Sequence, residues 1–250
     1  MVSAGNDPNR FGSAAPGYGQ QSGVARAVRP VDAVGHSVDE GAPETRSDYW
    51  DAFYSATATT QRPVPSQFAT FVAGELAGPR RIIELGCGSG RDAFFFADNG
   101  HDVVGIDRSA KAIAVCRALA ENLGVQADFV QAAVDDPALA SRIGPSALPT
   151  VVYARFFVHA ITDEEEAHFL GLAAALTSPG DVLAVEYRTI RDRGGVKVTG
   201  KHYRRFVHPA AFEADVLAHG FGVSYAVEGH GYAKYKDEDA YVARSLFVRR

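Results

Sequence analysis

A chain of 250 residues suits one sizeable domain with length to spare for a tail or a lid, and 46% hydrophobic with 22% charged residues can fill a full core. A formal net charge of -5 argues against a general nucleic-acid binder, whose affinity rests on neutralising phosphates. Two cysteines, Cys87 and Cys116, form no disulfide framework and fit a reducing cytoplasm, and neither a spanning apolar run nor a secretory h-region is legible.

Residues 1–46 contain no Leu or Ile and are rich in Gly, Ala, Pro and Ser, so they are read as a disordered or loosely attached tail. Residues 47–250 form the domain. Its first part, 47–78, holds the aromatic cluster Tyr49, Trp50, Phe53 and Tyr54. After it, Pro63 to Leu76 carries Phe68, Phe71, Val72, Glu75 and Leu76 at helical spacing.

From Arg80 strands and helices alternate, which predicts a mostly parallel sheet covered on both faces. Arg81–Leu85 is a strand and Arg91–Ala97 a helix closed by Asn99 and Gly100, with Asp102–Ile106 the next strand. Ser109 caps a helix that buries Ala112, Ile113, Cys116 and Leu119 and ends at Gly124. Ala127–Gln131 and Thr150–Ala154 are strands, with a short helix over Asp135–Ile143 between them. Thr162 and Glu165 make a capping box for a helix to about Leu176, before the strand Val182–Tyr187. A basic, polar stretch then runs to Phe206, and a helix extends from Pro209 to Gly220. Val223–Val227 and Ala243–Val248 are predicted as a terminal antiparallel pair.

The chemistry concentrates where the first strand of the sheet enters Glu84-Leu85-Gly86-Cys87-Gly88-Ser89-Gly90. A strand running into glycines and then a helix aims backbone N–H groups and the positive helix end at one spot. Asp107 closes the second strand, where an acid can accept both hydroxyls of a ribose. A dinucleotide fingerprint G-x-G-x-x-G needs a third glycine where Arg91 stands, which disfavours a nicotinamide cofactor.

The stretch from Ile82 to Asp92, with Gly100 to Asp107 after it, resembles class I S-adenosylmethionine-dependent methyltransferases, and among them the tellurite-resistance and thiopurine methyltransferase-like branch. The resemblance implies an α/β, Rossmann-like, doubly wound seven-stranded sheet, mostly parallel, ending in an antiparallel hairpin. It implies S-adenosylmethionine as cofactor. Gly86, Gly88 and Gly90 would lie against its methionine and ribose portions. Glu84 would organise the loop or reach the cofactor ammonium through water, and Asp107 would hold the ribose. Arg91 would meet the methionine carboxylate or face solvent. The acid that often follows the third strand is replaced here by Ala133, so adenine would rely on backbone groups of Ala133 or Val134, or on Asp135. Trp50 and Tyr54 resemble an N-terminal lid over the cofactor. Arg155 and His159, after the fourth strand, would wall the active site, Arg155 also touching cofactor, with a buried core histidine as the competing reading of His159.

Arg188, Arg191, Arg193, Lys197, Lys201, His202, Arg204 and Arg205 form one basic run that begins at the ligand-binding edge of the sheet. Arg188, Lys201, Arg204 and Arg205 are therefore expected to bind an anionic acceptor, the alternative being a solvated loop. The general base is sought among His159, His202, Tyr203, Glu186 and Tyr187. No metal constellation is present in the sequence. The expected partner is a small-molecule or glycan acceptor, with neither nucleic acid nor membrane. The alternatives are an enzyme using S-adenosylmethionine for other chemistry, a nucleotide-dependent oxidoreductase, or a non-catalytic binding domain.

Overall fold

The computed structural model describes residues 37–39, 46–56, 61–195, 203–235 and 237–250. In chain order these form β1 (Ser37–Asp39), α1 (Arg46–Ala56), α2 (Gln67–Glu75), β2 (Arg81–Leu85), α3 (Arg91–Asp98), β3 (Asp102–Asp107), α4 (Ala110–Leu123), β4 (Asp128–Gln131) and α5 (Leu139–Ile143). There follow β5 (Thr150–Arg155), α6 (Asp163–Leu176), β6 (Val182–Arg188), β7 (Arg204–Phe206), α7 (Pro209–Ala218), β8 (Phe221–Gly229), β9 (Lys234–Tyr235), β10 (Glu238–Asp239) and β11 (Val242–Arg249).

Seven strands make the main sheet, in the order β4-β3-β2-β5-β6-β11-β8. β4, β3, β2, β5 and β6 run parallel, and β11 lies antiparallel between β6 and β8. This is the doubly wound α/β sheet expected, with the terminal antiparallel pair closing one side. Alternate strand residues feed two cores. Ile83, Val152, Leu183 and Val185 pack with Phe169 of α6 and Phe212 of α7, whereas Ile82, Val151, Tyr153 and Ala184 pack with Phe68 of α2, Phe94 of α3 and Cys116 of α4. Strands buried on both faces read as unbroken apolar runs, as β2 and β5 do.

The helix limits follow local chemistry. Ser109 Oγ accepts from Ala112 N and Gly124 ends α4 in the left-handed region. Thr162 and Glu165 form the capping box of α6. Two expectations are corrected. The helix predicted over Asp135–Ile143 begins only at Leu139, because Pro137 disfavours a helical Asp136, and Asp136 instead closes a turn onto Ala138 N and Leu139 N. The periodic stretch from Pro63 becomes helical only at Gln67, where Ser66 caps it by accepting from Ala69 N. Within the stretch read as a tail, Ser37–Asp39 pairs antiparallel with Arg204–Phe206. Among the described residues no helix is long and apolar enough to cross a membrane.

Candidate functional site

The carboxyl ends of β2, β3 and β5 converge on the glycine loop. Gly86, Gly88 and Gly90 all have positive φ, of 72°, 55° and 77°. Crowding reinforces the requirement: a Cβ on Gly86 would come within 2.6 Å of the Phe157 ring, and one on Gly88 within 2.5 Å of the Tyr54 hydroxyl. Gly86 N and Cys87 N donate to the Ile106 carbonyl, tying the loop to β3.

Asp107 is the clasp of this loop. One carboxylate oxygen accepts from Gly88 N and the other from Ser109 N, both at 2.9 Å. Burial raises its pKa, and these two N–H groups pull it back. Below the loop, Cys87 and Cys116 are buried free thiols, and Cys116 Sγ donates to the Gly88 carbonyl at 3.2 Å.

Glu84 lies under the loop, 4% exposed, with Oε2 buried and unpartnered among the described residues. Burial, then the neighbouring Asp92, hold its carboxyl well above the usual carboxylate range. Asp92 itself is fully engaged, accepting from Ser66 N, Ser66 Oγ and the Tyr153 hydroxyl. The adjacent Arg91 is half exposed, its Nε 3.5 Å from Asp92. An acid with a spare buried acceptor beneath a bare-backbone loop fits a ligand that brings a cationic or N–H donor group to that point.

The aromatic helix α1 forms the roof. Trp50 and Tyr54 stack at 5.9 Å between ring centroids, and Asp51 accepts from Ser109 Oγ, which anchors α1 at the start of α4. Burial, then Asp107, raise the Tyr54 phenol well above its ordinary pKa. On the opposite side Ala133 and Val134 are half-buried after β4, and Asp135 is exposed.

After β5 the backbone does something the sequence did not announce. Phe156 adopts φ +57°, a left-handed conformation that costs a bulky residue roughly 1–3 kcal/mol. The reversal sends the Phe157 ring over Gly86 and turns Phe156 toward Tyr232, Ala233, Ala240 and Val242. Arg155 donates through Nε to Glu186 at 2.8 Å and lies over the Phe156 ring.

His159 is buried, with Nδ1 accepting from Arg188 N at 3.2 Å and its ring edge-on to Phe156. A donor at Nδ1 requires that nitrogen to be deprotonated, so this atom is not open to an acceptor. One ring nitrogen of His159 is therefore engaged within the fold. Tyr203 is half-buried ahead of β7, and Tyr187 is buried with its phenol pushed up by that burial.

The basic run does not form an open anion site. Arg188 is buried, with one terminal nitrogen 2.7 Å from Asp192 and the other 2.5 Å from Glu238. Arg205 is 1% exposed, bound to Asp163 and Glu166 of α6 and to the Val158 carbonyl. Their charges are matched inside the fold, which corrects the expectation that they face the acceptor. Arg204 is buried near Tyr49. Lys197, Lys201 and His202 lie outside the described residues. An open cleft of about 950 Å³ lined by Arg81, Thr150 and Asp181 lies at the amino edge of the strands, remote from the loop.

Residues 82–180 match a family described as a methyltransferase domain. The ubiquinone biosynthesis O-methyltransferase of Azorhizobium caulinodans is 28% identical over 158 residues, 58% of this chain and 59% of that protein, so the likeness spans less than two thirds of the curated relative. A TehB-like S-adenosylmethionine-dependent methyltransferase from Corynebacterium glutamicum superposes with TM-score 0.55 at 14% identity, covering 81% of this chain and 95% of that one. The [4+2]-cyclase SpnF superposes with TM-score 0.64 at 16% identity, covering 84% and 97%. The glycine loop and its acid clasp thus lie within the stretch that matches a methyltransferase domain, and the chain shares its doubly wound fold with solved S-adenosylmethionine-dependent methyltransferases.

Proposed function

We propose that the chain transfers the methyl group of S-adenosylmethionine to a small-molecule or glycan acceptor carrying an acid group: an oxo acid, an amino acid, or a phosphorylated or acidic sugar. The cofactor supplies a methyl group already activated on a sulfonium, so the protein's task is alignment and exclusion of water. In this reading the loop Gly86–Gly90 and Asp107 hold the nucleoside and amino-acid portions. Glu84 takes the cationic amino group on its spare oxygen. Backbone groups of Ala133 and Val134 border the base. Trp50 and Tyr54 close over the whole, and the anchoring of α1 to Ser109 supports that role. The free, buried state of Cys87 and Cys116 supports action in a reducing cytoplasm.

The anionic acceptor rests on one observation. At the carboxyl edge, Arg155 and Arg244 share the single carboxylate of Glu186, which leaves one positive charge unmatched within that group. Arg188 and Arg205 supply none, being paired internally. The base that takes the acceptor's proton belongs, in this reading, to the group His159, His202, Tyr203, Glu186 and Tyr187.

The test is turnover with methyl-labelled S-adenosylmethionine against a panel of carboxylic, amino and phosphorylated acids. The expected outcome is S-adenosylhomocysteine together with a labelled acid. Conversion of a panel member without label transfer would instead favour other chemistry on this scaffold, of which the neighbouring [4+2]-cyclase is a precedent in fold. Turnover confined to neutral acceptors would overturn the anionic part.

A further inference from the structure

A buried arginine, glutamate, arginine row crosses the carboxyl edge of the sheet. Arg155 on β5, Glu186 on β6 and Arg244 on β11 stand in register, so their side chains share one face. Two positions further into the sheet, the in-register Tyr153, Ala184 and Leu246 belong to the core beneath α2, α3 and α4. Glu84 pairs in register with Tyr153, which brings this row alongside the glycine loop.

Glu186 is completely buried and gives one oxygen to each arginine, Oε1 to Arg155 Nε at 2.8 Å and Oε2 to Arg244 Nε. Arg244 is then largely committed. Its Nη2 donates to the Tyr232 carbonyl at 2.5 Å, and its guanidinium lies over the rings of Phe68 and Tyr232. Arg155 differs. Its Nε alone is used, its guanidinium rests 4.2 Å above the Phe156 ring centroid, and among the described residues nothing hydrogen-bonds either terminal nitrogen. Its side chain is only 15% exposed, yet neither terminal nitrogen is among the sealed, unpartnered polar atoms.

A guanidinium clamped at Nε and stacked on a ring has lost most of its freedom while keeping a planar pair of donors. That is the geometry arginine uses for bidentate recognition of a carboxylate. Two arginines around one carboxylate carry one surplus charge, which balances a monoanion and not a phosphate dianion. We propose that the two terminal nitrogens of Arg155 bind a carboxylate, and that Glu186 is the positioning residue that aims them. The inference rests on the methyltransferase reading and narrows its acid group to a carboxylate. Two sources offer one: the amino-acid end of the cofactor, and the acceptor.

Calorimetric titration of the full chain and of the variants R155M and E186Q separates them. The probes are S-adenosylhomocysteine and 5′-methylthioadenosine, which shares the thioether nucleoside but lacks the amino acid. If the cofactor carboxylate is held, R155M weakens S-adenosylhomocysteine roughly 10- to 100-fold and leaves methylthioadenosine unchanged. E186Q then gives a smaller loss in the same ligand. If the acceptor carboxylate is held, both probes bind all three proteins alike. Benzoate then binds saturably to the S-adenosylhomocysteine-loaded wild type, more weakly to E186Q and not measurably to R155M.

The proposal is overturned if R155M matches wild type for S-adenosylhomocysteine and benzoate shows no difference between them. It is equally overturned if both nucleosides lose affinity together, since that reports a damaged fold. An E186Q protein indistinguishable from wild type while R155M is impaired removes the positioning role. If wild type binds neither nucleoside, the methyltransferase reading itself fails.

Discussion

Replacing Arg205 with alanine tests whether the basic segment serves the fold or the acceptor. Arg205 is 1% exposed and meets Asp163, Glu166 and the Val158 carbonyl. Removing one partner of a buried pair leaves an uncompensated charge, which costs about 3–5 kcal/mol. For a domain of this size each kcal/mol lowers Tm by roughly 2–4 °C, so Arg205→Ala should melt roughly 6–20 °C lower. The loss should depend on pH in a defined direction. Burial already raises the Glu166 pKa and Arg205 pulls it back, so without Arg205 it rises further. A carboxyl whose folded pKa exceeds its unfolded one contributes stability below the unfolded value, of about 4.3, and loses it as pH rises through the folded value. The deficit of Arg205→Ala relative to wild type should therefore be larger at about pH 8 than at about pH 5. Thermal unfolding at both pH values, with S-adenosylhomocysteine titration below the melting range, provides the measurement. A Tm within about 2 °C of wild type, combined with a raised acceptor KM, would return Arg205 to the acceptor site and refute the reasoning.

Two further outcomes follow from the loop. Because the Glu84 pKa is raised by burial, the ligand-free protein should lose stability as pH climbs from the ordinary carboxylate range through that raised value. If Glu84 takes the cofactor ammonium as proposed, ionised, binding displaces this proton, so S-adenosylhomocysteine affinity should rise with pH, by at most about tenfold per unit, and then level off. Glu84→Gln should flatten the profile; an unchanged slope in that variant would exclude Glu84 as the group. Gly86→Ala and Gly100→Ala separate crowding from backbone strain. Both have positive φ and so cost about 1–2 kcal/mol as alanine, but only Gly86 meets a neighbour, the Phe157 ring. Gly100→Ala should lose stability with S-adenosylhomocysteine binding intact, whereas Gly86→Ala should lose both, as read by melting and calorimetry.

Much of this protein is legible along the chain because the governing interactions are local. The strand, glycine loop and helix from Arg81 to Asp98 lie within a few residues of one another, and their order follows from apolar runs and from glycines that alone tolerate positive φ. The caps at Ser109 and at Thr162 with Glu165 are three-residue effects and are legible for that reason. Pro137 is a local signal too, since it disfavours a helical Asp136 and delays the helix to Leu139.

The arginines show where linear reading stops. Arg188, Arg204 and Arg205 look alike in a basic run, and a charge run looks the same whether it is solvated, ligand-binding or buried. The fates of Arg188 and Arg205 depend on carboxylates from other elements: Glu238 lies 50 residues beyond Arg188, and Asp163 lies 42 before Arg205. By residue type Glu186 is a possible base; its place between Arg155 and Arg244 exists only because β11 inserts between β6 and β8. Sequence by itself determined the glycine loop and the sheet that bears it, since backbone conformation and hydrophobic period act over a turn or a strand. Only the tertiary structure decided which charges remain available to a ligand, because a buried ion pair is made by whichever opposite charge the fold brings alongside.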